Sequence, residues 1–96
     1  MKAIRKKPGA QPEIIEVENT LKAPQAEVGG YIEVVTVASD TAIICNEEGR
    51  IFDLPHCCHF CGTDFVGTVL MVGVRGDEFC DVSGANFLME VQHGKV

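Results

Sequence analysis

This chain has no long apolar run, few bases, a single tyrosine and none of the common catalytic signatures, and each shortage removes a class of function. No stretch of about 18 apolar residues occurs, so no membrane-spanning helix is expected. The basic start is followed by Pro8, Gly9 and Pro12 in place of an apolar segment, so no signal peptide is expected either. Eight Lys and Arg against fourteen Asp and Glu give a net charge of −6. That balance opposes direct binding to nucleic acid or to anionic membrane. No Walker loop, G-x-G-x-x-G or H-E-x-x-H motif is present, and Glu47-Glu48, Glu13 and Glu16 read as solvated charges on a turn and a strand.

What remains is the composition of a globular protein, 46% apolar and 23% charged. The 96 residues make one domain, spanning 1–96. A chain of this size buries roughly 60–65% of the surface its unfolded form exposes, which supports one core and leaves little for a deep internal site. The five cysteines, Cys45, Cys57, Cys58, Cys61 and Cys80, are odd in number. With no export signal expected, they read as reduced thiols of a cytoplasmic protein, the host cell's cytoplasm if a phage encodes it.

The pattern along the chain is a series of short strands with turn punctuation. Residues 1–6 and 13–17 form a hairpin around a loop at 7–12. A short helix capped by Asn19 or Thr20 runs to Val28, with Leu21, Gln25 and Val28 on one face; Pro24 argues for a start near itself. Gly29-Gly30 stops it. Strands follow at 31–37 and 41–45, a turn at 46–49, and a short extended element at 50–52 closed by Leu54-Pro55. After an irregular segment, 66–74 reads as a central strand buried on both faces. A turn at 75–77 leads to a strand at 78–82, and Phe87, Leu88 and Val91 suggest a closing helix. The fold class is therefore α+β, a small mostly antiparallel sheet with one or two short helices in the order ββαββ-ββα. The connections are too short for parallel crossovers.

Two clusters attract chemistry. In His56-Cys57-Cys58-His59-Phe60-Cys61, the pair Cys58-x-x-Cys61 has the spacing of a zinc half-site. A complete site would draw on Cys80 and either Cys45 or His56, and no second C-x-x-C or H-x-x-x-H supplies the usual partner pair. The plainer reading fills an irregular loop with these residues and buries some thiols. A Cys–His nucleophile would require an orienting third group and an oxyanion hole, and neither is visible. The second cluster is basic: Lys2, Arg5, Lys6 and Lys7 are half of all the bases. It reads either as a solvated edge strand or as an anion-binding patch, with Arg50 or Arg75 as contributors.

Three segments carry a family resemblance: Val28-Gly29-Gly30-Tyr31-Ile32-Glu33-Val34-Val35, Ile44-Cys45-Asn46-Glu47-Glu48-Gly49-Arg50 and Gly67-Thr68-Val69-Leu70-Met71-Val72-Gly73. In this order and spacing the chain resembles the domain of unknown function 3846, small proteins of phages, plasmids and other mobile elements, often encoded near anti-restriction genes. The resemblance implies an accessory, counter-defence role and assigns no catalytic residues. After Leu54-Pro55 the family's polar, Asn-containing stretch is replaced here by His56 to Cys61.

The expected function is non-enzymatic: sequestration of a small anionic, nucleotide-type signal molecule, with Lys6, Lys7, Tyr31, Asn46 and Arg50 as ligand-binding residues. No cofactor is expected, zinc at Cys58 and Cys61 being the alternative. A pocket of useful size would be gained by homo-oligomerisation. The competing expectations are an acidic protein-interaction module that inhibits a host defence enzyme by mimicking nucleic-acid charge, and a zinc-stabilised structural domain.

Overall fold

The structure is a computed structural model that describes residues 1–82. The elements are β1 (Lys2–Lys6), β2 (Glu13–Glu16), α1 (Lys22–Val28), β3 (Ile32–Ala38), β4 (Thr41–Asn46), β5 (His56–Phe60), β6 (Thr63–Val66), β7 (Val69–Arg75) and β8 (Glu78–Cys80). This is a mostly antiparallel α+β fold. The closing helix expected around Phe87, Leu88 and Val91 lies outside the described residues.

One sheet runs β2-β1-β7-β4-β3, and β8 pairs with the far end of β7. The order follows from burial. All six residues of β4 and the first five of β7 are buried, so these two apolar strands take the centre. They pair through Thr41↔Gly73, Ala42↔Val72, Ile43↔Met71 and Ile44↔Leu70. Gly73 is required there: a Cβ would collide with the Asp81 carbonyl oxygen, which is backbone and cannot swing aside.

Strand alternation sends side chains to two covered faces. On one, α1 closes an aliphatic core of Ala3, Val17, Val28, Ala42, Ile44, Leu70 and Val72. On the other, the β5–β6 hairpin closes a core of Ile4, Ile43, Cys45, Cys57, Cys58, Phe60, Phe65, Val69 and Met71. The molecule is thus three layers: helix, sheet and hairpin.

Several expectations are corrected. Residues 56–66 are not irregular but form the two-stranded sheet β5–β6. Residues 50–52 are not extended; they lie in a turn with Ile51 and Phe52 exposed. The central strand begins at Val69, because Gly67 turns the chain at φ 72 between β6 and β7. The helix starts ahead of Pro24. Its first intrahelical bond runs from Gln25 N–H to the Leu21 carbonyl, so proline sits in the first turn, where its missing N–H costs nothing. Thr20 Oγ1 accepts the Ala23 N–H at 3.3 Å. Pro24 and Val28 are buried, while Leu21 is exposed and does not share their face. Gly29 ends the helix in the left-handed conformation, as expected, donating its N–H to Gln25 at 2.9 Å.

Candidate functional site

The hairpin supplies the unusual chemistry through one irregularity. Its register skips from His56↔Val66 to Cys58↔Phe65, leaving Cys57 as the extra residue of a β-bulge. The bulge breaks strict alternation. Two consecutive residues, Cys57 and Cys58, point into the core, and His56 and His59 both emerge on the outer face. Cys61 and Gly62 form the two-residue turn, both with positive φ, 50° and 78°. Cysteine is an uncommon occupant of that position, which favours Asn, Asp or Gly.

On the outer face Asp64 joins the two histidines. Its Oδ1 lies 2.8 Å from His59 Nδ1 and 3.4 Å from His56 Nε2. Hydrogen bonding with His59 and then His56 holds the Asp64 carboxyl below its ordinary value. All three side chains remain half exposed. Beneath them the thiols are enclosed. Cys57 Sγ lies 3.3 Å from the Lys6 carbonyl oxygen. Its hydrogen bond with Cys58, reinforced by burial, pushes its pKa up, and the same bond draws Cys58 down. Cys57 and Cys58 are not set against His56 or His59 as nucleophile and base, because the bulge puts these two thiols and the two imidazoles on opposite faces.

Between this hairpin and the β3–β4 side of the sheet lies a cleft of about 190 Å³, lined by β3, β4, β6 and the turn after β4. Arg50, from that turn, reaches across and donates through Nη2 to the Asp64 carbonyl at 2.6 Å. Glu33, Glu47 and Asp64 also line it, so one guanidinium stands among three acids. Cys45, in the same lining, donates weakly to the Glu33 carbonyl at 3.7 Å. Burial and the Glu33 charge push its pKa up to about 11, so the thiol stays neutral.

These are the features of a chain whose residues 1–93 match a family model, Domain of unknown function (DUF3846). The chain belongs to that family. No curated protein and no solved structure matches it.

The fold of this DUF3846 chain distributes the expected ligand residues unevenly. Asn46 and Arg50 both line the cleft. Asn46 is buried and already engaged: Nδ2 donates to the Val28 carbonyl at 3.2 Å, and Oδ1 accepts the Glu48 N–H at 2.7 Å. It therefore shapes the turn that carries Arg50, tying it to the end of α1. Tyr31 precedes β3 and is exposed outside the cleft lining. Lys6 is buried under the hairpin with Nζ on the Lys7 carbonyl at 3.1 Å, and Lys7 is exposed in the loop after β1. The basic cluster is not one patch, because alternation along β1 divides it. Arg5 turns toward the helix side, paired with Glu27 at 2.8 Å and with Glu13.

The two cysteines of the C-x-x-C also part company: Cys58 is buried in β5 and Cys61 is exposed at the turn. Among the described residues, no group of three or more His, Cys, Asp or Glu gathers as a metal cage. The residues that sequence reasoning missed are Asp64, Glu33 and Phe65. Asp64 was visible only as an acid five residues beyond His59. It becomes a partner because the hairpin pairs His59 directly with it.

Proposed function

We propose that this DUF3846 protein is a non-enzymatic binder that holds a small polar molecule in the Arg50 cleft. The observation that carries the reading is the placement of Arg50, whose guanidinium is fixed across the cleft by the Asp64 carbonyl while the neighbouring lining offers acids and a neutral thiol. A fixed guanidinium suits an anionic group such as a phosphate, since its planar fork is pre-organised. Glu33, Glu47 and Asp64 suit the amine and ring N–H donors of a nucleobase. A nucleotide-type ligand offers both kinds of group. The cleft is below the usual ligand-pocket range of about 300–1,000 Å³, so it would hold only part of such a molecule. In a phage or mobile element, holding a host signal in this way would amount to counter-defence by sequestration.

The test is thermal-shift screening of the wild type and Arg50→Ala against cyclic oligonucleotides, mononucleotides and ADP-ribose derivatives. The expected result is stabilisation by a member of that panel, lost in Arg50→Ala as affinity falls by about 1.5–3 kcal/mol, the worth of a charge-assisted bond. Silence across the panel, or turnover of a bound nucleotide, would remove the proposal.

A second reading, inhibition of a host protein by direct contact, is favoured by Ile51 and Phe52. They are 78% and 61% exposed on a turn that also carries Glu47, Glu48 and Asp53. Apolar side chains ringed by acids fit a partner with a basic-rimmed apolar pocket. Retention of a lysate protein by the wild type, lost with Phe52→Ser, distinguishes this from the small-molecule reading.

A further inference from the structure

Apart from the three-residue β8, the sheet ends in two unlike edges. β2 spans four residues and carries Glu13 and Glu16, with Arg5 crossing to Glu13. β3 spans seven and reads Ile-Glu-Val-Val-Thr-Val-Ala, without Lys, Arg, Pro or Gly. Natural edges are shielded by short length, by lysine or proline, or by bulges. β3 has only the bulge between Thr36 and Ala38, which leaves 32–36 regular. Among the described residues no strand pairs with its outer side.

The direction of its free groups follows from the ladder. The Tyr31 carbonyl accepts the Glu47 N–H at 2.8 Å, so residues 31, 33 and 35 bond toward β4. By alternation Ile32, Val34 and Thr36 aim their N–H and C=O groups outward.

We propose that this edge pairs with the same edge of a second copy, antiparallel about Val34. The sequence is self-complementary in that register. Ile32 faces the partner's Thr36, Val34 faces the partner's Val34, and each of these pairs exchanges backbone bonds. Glu33 faces the partner's Val35, so no like charges stand directly opposite. Val34, 44% exposed in the single chain, gains cover at the centre of the pairing. A second copy is favoured over a foreign strand because the row of β-branched residues matches itself. The blunt β2 edge offers no further site, so the two-fold closes the assembly as a dimer rather than a fibre. Glu33 and Val35 line the Arg50 cleft, so the partner's Val35 extends that wall, but the pairing needs no ligand. The net charge of −6 per chain opposes association at long range, so pairing strengthens as salt screens it.

Sedimentation velocity of the full chain at low and high salt reads this directly. The expected species is twice 10.4 kDa, more populated at high salt. Val34→Lys weakens it by at least about tenfold, since two ammonium groups then face each other. Ile14→Lys, on β2, leaves it intact. Val34→Cys, which retains the strand's character, forms a disulfide-linked dimer on mild oxidation beyond the wild-type level, while Thr36→Cys does not. Directly opposed residues lie about 5.5 Å apart at Cα, within disulfide reach, whereas Thr36 faces Ile32. A chain that is monomeric at every concentration overturns the proposal. So does a dimer that survives Val34→Lys in a folded protein, or one that Ile14→Lys disrupts.

Discussion

The two faces of the sheet are closed by different materials. The buried core on the helix side is aliphatic, from Ala3 to Val72, with polar ties where Arg5 meets Glu27 and Glu13 and where Asn46 Nδ2 donates to the Val28 carbonyl. The hairpin side packs three cysteines, two phenylalanines and a methionine. It also carries the cleft, its guanidinium and the outer His–Asp–His cluster. The aliphatic face needs only volume and shape to do its work. The hairpin face holds soft, polarisable and titratable groups, and its irregular strand aims them. Both faces supply buried core, and the proposed ligand chemistry falls on the hairpin face alone.

The largest effect that tests this division comes from matched core truncations. Phe65→Ala, on the hairpin face, should cost about 3–5 kcal/mol, and Leu70→Ala, on the helix face, about 2–5, both read by urea denaturation. The division predicts a further difference. Leu70→Ala keeps any ligand-induced thermal shift, and Phe65→Ala, which removes a wall of the cleft, loses it. Equal loss in both variants breaks the comparison.

A smaller effect, of opposite sign, sits at the hairpin turn. Cys61 is held at φ 50, so Cys61→Asn should raise stability by about 0.5–1 kcal/mol. If zinc held the hairpin through Cys61, the same change would lower stability and make it insensitive to chelator.

The smallest effect concerns pH. The folded-state value of Asp64 is depressed, so at this residue the unfolded chain binds more protons in the acid range. The contribution of Asp64 is complete above its ordinary value near 3.8 and fades as pH falls through the lowered folded value. Urea midpoints of the wild type should therefore drop further than those of Asp64→Asn below about pH 4. Parallel curves would mean that the histidines do not engage this carboxylate in solution.

The parts of the molecule that obey simple periodicity were legible in the sequence. β4 and β7 are continuous apolar runs bounded by turns, and Gly29 marks the helix end where glycine is favoured. The hairpin was not legible, because its bulge buries Cys57 and Cys58 side by side and so breaks the alternation that announces a strand. Its turn offers Cys61 where Asn would have been the signal. Ile51 and Phe52 read as extended because of their side chains. They nevertheless point outward from a turn, in which the N–H groups of Phe52 and Asp53 bond back to Glu48 and Arg50. Of the candidate site, Asn46 and Arg50 were found through the segment that carries them. Asp64 and Glu33 come to Arg50 only through the pairing of β6 and β3 with their neighbours, which a linear reading does not supply.

The central claim is that the hairpin face binds a small molecule through Arg50 without transforming it. Native mass spectrometry of the freshly purified chain, incubated with the ligand panel, tests it most directly. The account predicts a discrete, unaltered ligand mass on the wild type that Arg50→Ala does not carry. An adduct equal on both proteins, or recovery of the ligand in a chemically changed form, would contradict it.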